Sequence, residues 1–434
     1  MRKTTIGLLI IIAFLLGCKN SKHTENQFLS SEDTLVIKTS RQKGLGSLGR
    51  YLVGAGTIGF SDSERTNYIS NHILPDNIQE FEIGFFPVDF KPYYFEWYKT
   101  EEYWAERFPS YVSSNKIDTL NIPSFYDNNI SILIGLQNGE PIFIVDQNNN
   151  QDFRDDTIRK LQDLDWWTTD DLIYCQFKIY NEKQLIDDYS WFNIGLSGNS
   201  ILGFVSHHLI ADFFIDNQQF NLEIFNHRSG SIAIDNPLMI IPTEFDTITE
   251  LIANSETIKV REFIKLNDEY YQFAHITNDG SFVTLIKERD FENRIGLQPG
   301  MIAPEFKAKT IAGNTISLND FKGDYVLLIN HTSCWSEKTT YQSHKEISEV
   351  FKDKVRYIGI DNSHRETLLR QIQNLSLPGD FLIAENENPE IEEHFRPDFS
   401  SRTCFLICPA GRVIERFEIS YWNENLSRHF ENDL

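Results

Sequence analysis

The sequence predicts two kinds of fold in one chain: a long β-rich region, followed by a shorter α/β region at the C-terminus. Between about residues 31 and 297, apolar runs of strand length are separated by turn sequences such as Asn138-Gly139, a pattern typical of β-hairpins. After the stretch 297–304, which contains two prolines and a glycine, strand-like runs alternate with helical segments. This alternation predicts a central mixed sheet covered by helices.

The first residues have the features of an export signal. Arg2 and Lys3 precede an apolar run, residues 6–16, that is too short to span a bilayer comfortably. The following "LLGC" resembles a bacterial lipobox, which implies that Cys18 is lipidated and becomes the new N-terminus. We therefore expect a lipoprotein signal peptide over 1–17, a polar tether over 18–30, and a lipoprotein anchored to a membrane and facing the periplasm or the cell surface. The alternative is an ordinary signal peptide with a chance cysteine.

The composition restricts the possible partners. The chain has 434 residues, of which 41% are hydrophobic, so it can bury a sizeable core. Its formal net charge of −23 excludes nucleic acid as a partner, because a phosphate backbone requires a basic surface. The five cysteines have neither the spacing of a zinc site nor that of a disulfide-rich scaffold. Cys175 alternates with apolar residues along a strand-like run, which predicts a core position.

Residues 31–297 are expected to form one or two antiparallel β domains. Three hairpins are predicted, with turns at Asn138-Gly139, Asn217-Gln218 and 278–280. The sequence "GLGSLG" at 44–49 matches a dinucleotide-binding fingerprint, but more glycines follow it where a helix is needed. We interpret it as a turning loop.

One loop of this region has the residue types of a calcium site. Oxygen-bearing side chains at alternating positions can converge on one hard cation. The residues concerned are Asp146, Asn148, Asn150 and Asp152. However, Gln151 occupies the position where a calcium loop has glycine, and no glutamate closes the loop. An Asx-rich turn after a strand is the alternative.

In the α/β region, Cys334 lies between a predicted strand, 325–330, and a predicted helix, 337–353. The N-terminus of a helix carries partial positive charge and free N–H groups, and both lower the pKa of a thiol. Glu337 has the opposite effect, because a nearby carboxylate raises the pKa of a thiol unless a cation neutralises it.

Residues 298 to about 420 resemble the alkyl hydroperoxide reductase/thiol-specific antioxidant (AhpC/TSA, redoxin) group and its TlpA-like thiol-disulfide oxidoreductase relatives. The resemblance rests on Gly300, Ala303, Pro304, Phe306, Gly313, Ile316, Ser317, Leu318, Asp320, Phe321, Lys322 and Gly323. It implies a thioredoxin-like fold for 298–434, and together with the β-rich front the chain resembles lipid-anchored TlpA-like proteins of Bacteroidota.

The predicted site departs from the TlpA-like pattern. Such enzymes read Trp-Cys-x-x-Cys and have a cis-proline beside the thiol, whereas this chain has Glu337 and Arg402 at those two places. Both departures resemble the peroxiredoxin branch. That resemblance implies Cys334 as the nucleophile, Arg402 as the cation that neutralises Glu337 and stabilises the thiolate, and Thr332 as the hydroxyl that binds peroxide.

Release of the oxidised Cys334 requires a second thiol. Cys404 is the candidate within the chain, because the resemblance places its strand beside Cys334; the alternatives are an external thiol donor, or a Cys404 that is only a core residue. Protein disulfides or peroxides are the expected substrates, and no cofactor is required apart from the predicted calcium. Two other functions stay open: a non-catalytic thioredoxin-fold binding module, and a periplasmic or surface binding lipoprotein.

Overall fold

The computed structural model describes residues 27–31, 33–52, 56–60, 72–92, 129–165, 170–227, 231–331, 337–384, 387–395 and 402–430. The signal peptide 1–17 and Cys18 lie outside these residues. The chain divides into two compact units. The first takes the described residues as far as Asp246, together with Ala274–Ile286. The second takes Thr247–Phe273 and the described residues from Lys287 onward.

The first unit is built from antiparallel strands. These are β1 (Gln27–Ser31), β2 (Thr34–Lys38), β3 (Ser40–Lys43), β4 (Gly56–Thr57), β5 (Gly59–Phe60), β6 (Gln79–Pro87), β7 (Asn129–Gln137), β8 (Glu140–Val145), β9 (Arg159–Lys160), β10 (Ile173–Tyr180), β11 (Leu185–Ser197), β12 (Ser200–Val205), β13 (His207–Ile215), β14 (Gln218–Asn226) and β15 (Pro237–Ile240). Their orders are β10-β11-β12-β4, β15-β14-β13-β3 and β5-β6-β7-β8-β9. The β-rich prediction for this part of the chain is thereby confirmed.

The N-terminal boundary of the β region lies earlier than the sequence predicted. Residues 27–30, which were assigned to the tether, belong to β1, and Gln27 pairs with Ile37 of β2. A five-residue strand without clear alternation gives too weak a periodic signal to be recognised from sequence.

The predicted hairpins form, with one shift. Asn138 and Gly139 have φ of 52° and 81° between β7 and β8, as an Asn-Gly turn requires. The β13–β14 turn lies at Asp216 and Asn217, with φ of 49° and 67°, one residue before the predicted place. Aspartate and asparagine both tolerate this left-handed region, so the two registers are hard to distinguish by composition.

The division of the chain into two units falls within the third hairpin. Its strands are β18 (Glu269–Ile276) and β19 (Phe282–Glu288), and its tip belongs to the first unit. There the Asn278 amide donates hydrogen bonds to Asp89 Oδ2 and to the Tyr180 carbonyl, each at 2.9 Å. Asp89 and Tyr180 both belong to the first unit, so these bonds join the tip of the hairpin to that unit.

The "GLGSLG" segment is a helix and not the predicted loop. Helix α1 (Gly46–Leu52) begins beside Glu223 of β14. The Glu223 carboxylate accepts hydrogen bonds from Ser47 N and Ser47 Oγ, both at 2.6 Å, and from Leu48 N at 3.2 Å. A buried carboxylate of the same chain therefore occupies the first-turn N–H groups that a bound phosphate would use.

The second unit contains an α/β layer with a mixed sheet. Its strands are β16 (Ile258–Lys259), β17 (Phe263–Leu266), β20 (Lys307–Lys309), β21 (Thr315–Ser317), β22 (Tyr325–Asn330), β23 (Val355–Asp361), β24 (Asp380–Ile383), β25 (Thr403–Ile407) and β26 (Val413–Glu418), and its helices are α2 (Glu250–Ser255), α3 (Glu337–Val350), α4 (Arg365–Leu375), α5 (Pro389–Phe395) and α6 (Trp422–Phe430). The main sheet has the order β24-β23-β22-β25-β26. Strands β22, β23 and β24 are parallel, whereas β25 and β26 run antiparallel to their neighbours. The predicted mixed sheet is confirmed.

Both faces of this sheet are covered. Alternate residues of β22 point to opposite sides, so Leu328 joins one apolar core and Leu327 the other. The first core includes Phe395 of α5, and the second includes Ile347 of α3. None of the helices in the described part of the chain is both long and apolar enough to span a bilayer.

The predicted domain boundary at 297/298 lies inside the second unit. The Gln298 side chain accepts a hydrogen bond from Phe263 N at 2.7 Å and donates one to the Phe263 carbonyl at 2.9 Å. The Tyr270 and Phe291 rings stack with centroids 3.8 Å apart. Residues 247–273 and 287–297 are therefore packed as part of the α/β unit, although their sequence is strand-like.

Candidate functional site

One strand of the mixed sheet ends, and a helix and another strand begin, at the edge where the sequence predicts the Cys334 thiol. Strand β22 ends at Asn330, α3 begins at Glu337, and β25 begins at Thr403. Ile329 is paired with Cys404 at the end of the β22–β25 ladder, and His331 and Arg402 each lie two residues beyond that pair along their chains.

Cys334 and Thr332 lie outside the described residues, as does the side chain of Glu337. Along the chain, Cys334 lies three residues after His331 and three residues before Glu337, the first residue of α3.

Arg402 is paired with a carboxylate that the sequence analysis missed. Its Nη1 lies 3.6 Å from Glu418 Oε1, with 38% of the arginine side chain and 27% of the glutamate side chain exposed. Glu418 ends β26 and is paired with Thr403, the residue after Arg402. The predicted contact between Arg402 and Glu337 stays a prediction. Glu418 is the last residue of the neighbouring strand. Sequence alone does not show that it lies beside Arg402, because the register of the two strands must be known first.

A buried polar cluster lies beneath the first turns of α3. His331 Nε2 and His344 Nδ1 are 3.1 Å apart, and the His331 ring stacks on Tyr341 with centroids 4.4 Å apart. The Tyr341 hydroxyl donates to the Asp361 carboxylate. Burial, together with the nearby His331, lowers the pKa of His344 well below its usual value, because a desolvated imidazolium is costly. The sequence analysis did not identify this cluster, although the spacing of Tyr341 and His344 sets them on one helix face.

The side chain of Asn330, at the end of β22, connects α5 and β25 to that strand by hydrogen bonds. Its side chain is fully buried, and its Nδ2 donates to the Phe395 carbonyl at 3.0 Å and to the Thr403 carbonyl at 2.9 Å. The end of α5 and the start of β25 are therefore held against the end of the central strand. Asn330 fixes the backbone from which Arg402 extends.

Cys404 lies in the core of the second unit. It is fully buried in the cluster that includes Ile329 and Phe417, and burial raises the pKa of its thiol. This placement favours the core alternative. A transient bond to Cys334, which stays a prediction, requires local opening of that core. Cys404 and Cys408 are both free; four residues of a regular strand separate their Cα atoms by about 13 Å, which is too far for a disulfide. Cys175 is likewise a fully buried core residue, as predicted.

The predicted calcium loop is folded by its own hydrogen bonds. The buried Asp146 carboxylate accepts from Asn150 N at 3.0 Å and from Gln151 N at 2.8 Å. Asn150 Oδ1 accepts from Asp152 N at 2.8 Å, and Asn148 Oδ1 from Asn150 N at 3.2 Å. Such bonds are those of the Asx-rich turn that was the alternative. Calcium binding stays a prediction.

Two further carboxylates lie against this loop and were not predicted. Asp155 Oδ2 accepts from the Asn148 and Asn150 amides at 3.1 and 3.0 Å. Burial, followed by the charges of Asp146 and Asp155, raises the pKa of Asp156 to about 6. Among the described residues, no three acidic, histidine or cysteine side chains are placed so as to hold a metal ion.

Comparison with solved structures gives similarity to thioredoxin domains over about a third of the chain. The thioredoxin domain of a thiol-disulfide oxidoreductase from Bacteroides vulgatus is 22% identical, with 28% of this chain and 89% of that chain covered and a TM-score of 0.25. A thiol:disulfide interchange protein from Bacteroides sp. is 20% identical, with 30% and 90% covered and a TM-score of 0.27. A DsbF homologue from Corynebacterium diphtheriae is 15% identical, with 27% and 76% covered and a TM-score of 0.24. No protein-family model matches the chain, and no curated protein is significantly similar to it.

Proposed function

We propose that the protein is an exported lipoprotein whose second unit is a thioredoxin-like domain, and that this domain performs thiol-disulfide or peroxide chemistry through Cys334. The order of the main sheet supports the fold: three parallel strands, two antiparallel strands, and a helix that follows the central strand. The lipobox-like sequence before Cys18 supports the anchor, which would hold the protein at a membrane facing the periplasm or the cell surface.

The observation that supports the proposal is that Cys334 precedes Glu337, the first residue of α3, by three residues along the sequence. This helix has 14 residues, so its dipole is well developed, and the N–H groups of its first turn have no partners within the helix. A thiol at such a position has a lowered pKa and a larger fraction of nucleophilic thiolate at neutral pH.

The proposed reaction needs an external thiol. The Cys334 thiolate attacks one sulfur of a protein disulfide, forms a mixed disulfide, and releases the other sulfur as a thiolate that takes up a proton. A dithiol donor then attacks the Cys334 sulfur of the mixed disulfide and releases the second substrate thiol; its other thiol displaces Cys334 and closes the disulfide of the donor. With a peroxide, the thiolate attacks one oxygen, the O–O bond breaks with release of water or an alcohol, and Cys334 becomes a sulfenic acid, which two external thiols reduce to the thiol with loss of water.

The test is to measure insulin reduction and hydrogen peroxide consumption with a dithiol donor. The full chain is compared with Cys334→Ser and with Cys408→Ser, which removes a half-buried thiol at the β25–β26 turn. We expect Cys334→Ser to abolish activity and Cys408→Ser to retain it. Equal activity in the parent and in Cys334→Ser would contradict the proposal.

A second candidate is a non-catalytic thioredoxin-fold module, and the burial of Cys404 favours it. Cys404, the candidate resolving thiol within the chain, is fully buried in the core. In that case both assays give no activity and Cys334 alkylates with the pH dependence of an ordinary thiol, near pKa 8.5.

A further inference from the structure

We propose that an aromatic platform on β10 and β11 of the first unit binds a neutral oligosaccharide. Three aromatic and three polar side chains form this platform: Tyr174, Tyr189, Trp191, Gln176, Lys178 and Asp187. All of them belong to the first unit, so the proposal goes beyond the redox chemistry and can be tested without any enzymatic activity.

The three rings lie together on the solvent side of the sheet. The opposite face of β10 joins the apolar core through Cys175 and the residues that alternate with it. Tyr174 is paired with Trp191, and Tyr189 is two residues before Trp191 on β11, so the rings share one face. Their centroids are 5.3 to 6.0 Å apart. Tyr174 is 39% and Tyr189 37% exposed, so a contiguous aromatic surface faces solvent.

The platform is bounded along the sheet. Beyond Trp191, the same face continues to Asn193 and its partner Phe204, which is fully buried. In the other direction, the rings are followed by the exposed ion pair of Lys178 Nζ and Asp187 Oδ1, which are 2.7 Å apart. From Trp191 to Asp187 the strand covers roughly 14 Å. Such a surface is longer than one six-membered ring, so we infer an oligosaccharide and not a monosaccharide.

The charges around the rings favour a neutral ligand. An aromatic cage for a quaternary ammonium group holds the cation among several ring faces. Here the rings pack on one another, and the Arg41 guanidinium already lies over Tyr189, with Cζ 5.8 Å from the ring centroid. Arg41 is itself paired with Asp188 at 2.7 Å, and Lys178 with Asp187. Neither cation is left to attract an anion, and a cationic ligand would meet Arg41.

The polar side chains require a ligand that both donates and accepts hydrogen bonds. The exposed Gln176 amide does both, Asp187 only accepts, and Lys178 only donates. Sugar hydroxyls do both, and the C–H face of a sugar ring is apolar enough to stack on an aromatic ring. A proline-rich segment also docks on aromatic side chains, but its prolines have no N–H to donate to Asp187. An oligosaccharide therefore fits the platform better.

The experiment is isothermal titration calorimetry of the full chain with maltohexaose, cellohexaose, xylohexaose and mannohexaose. We expect at least one hexasaccharide to bind. Tyr189→Thr and Tyr174→Thr should each weaken that binding by about tenfold or more, as the loss of a stacking aromatic ring does for nucleobase ligands. Threonine retains the β propensity of both positions. Failure of all four hexasaccharides to bind at millimolar concentration would overturn the proposal.

Tyr180→Thr is the matched control. Tyr180 lies on the same face of β10, six residues and roughly 20 Å from Tyr174. This variant should bind the hexasaccharide as the parent does. Because cross-strand aromatic pairs also stabilise a sheet, the melting temperature of each variant is measured as well. Equal weakening in Tyr180→Thr and Tyr189→Thr, or undiminished binding in folded Tyr174→Thr and Tyr189→Thr, would show that the rings do not contact the sugar.

Two other occupants of the platform would give different results. Binding of decaproline that is lost in Tyr189→Thr, with no hexasaccharide bound, would assign the platform to a proline-rich segment. A dimer in sedimentation velocity that becomes a monomer in Tyr189→Thr would assign it to a second copy of the chain. Either result would overturn the oligosaccharide proposal.

Discussion

His344→Gln should change how the stability of the second unit depends on pH. His344 is fully buried and its pKa lies well below the usual 6.5, so the folded state keeps it neutral while the unfolded chain takes up a proton. The unfolded state then binds more protons, and stability is lost as the pH falls below about 6.5. Between pH 7 and pH 5, this one group should cost the parent about 2 kcal/mol of unfolding free energy.

The glutamine variant removes this titration while retaining a polar side chain beside His331. The substitution also changes the packing around residue 344, and the resulting loss of unfolding free energy is the same at both pH values. The difference in unfolding free energy between variant and parent should therefore move by about 2 kcal/mol in favour of the variant between pH 7 and pH 5. Urea unfolding, followed by hydrogen exchange of peptides from β22 and β23, reports this for the second unit alone.

The control is His364→Gln, which changes an exposed histidine at the start of α4. As a substitution at an exposed position, it should change the unfolding free energy by no more than about 0.5 kcal/mol. The reasoning is refuted if the difference between His344→Gln and the parent does not change between pH 7 and pH 5. That result would mean that His344 titrates equally in the folded and unfolded states.

Three further predictions concern sites outside this cluster. Cys18→Ser should leave the protein unprocessed or soluble, and an unchanged N-terminal mass with unchanged membrane association would contradict the lipobox interpretation. Calcium at ten times its dissociation constant should stabilise the first unit by about 1.4 kcal/mol; this gain, read as a melting shift, should disappear on chelation. Mild oxidation should leave the buried Cys404 unlinked and give Cys334 only as sulfenic or sulfinic acid, whereas a peptide that links Cys334 to Cys404 and is lost in Cys404→Ala would show internal resolution.

The features predicted correctly from the sequence depend on near neighbours along the chain. The Asn138-Gly139 turn, the alternation that buries Cys175 and the strand–helix order around Cys334 each need only a short window of sequence. Within such a window, backbone sterics and the spacing of apolar residues decide the conformation. This is why the β-rich front and the mixed sheet were both predictable.

The features that were missed depend on residues far apart in the sequence. The helix at Gly46–Leu52 begins where the Glu223 carboxylate, 176 residues beyond Ser47, accepts its first N–H groups. Gln298 likewise joins Phe263 across 35 residues, which moves the boundary of the second unit. Propensity and periodicity contain no information about such pairs, because the fold itself brings the partners together.

Under the proposed function, and with Arg402 in its predicted role beside Cys334, the Arg402–Glu418 pair bears on which substrate is favoured. When a thiolate attacks a peroxide, negative charge develops on an oxygen that leaves as hydroxide or alkoxide, and an uncompensated cation stabilises that charge strongly. Disulfide exchange releases a thiolate, which is a far more stable anion and depends less on such a cation. An arginine already paired with a carboxylate therefore suits disulfides better than peroxides. Glu418→Gln, by freeing Arg402, should raise peroxide consumption relative to insulin reduction at a fixed fraction of thiolate, whereas an unchanged ratio of the two rates would show that Arg402 does not act on the leaving group.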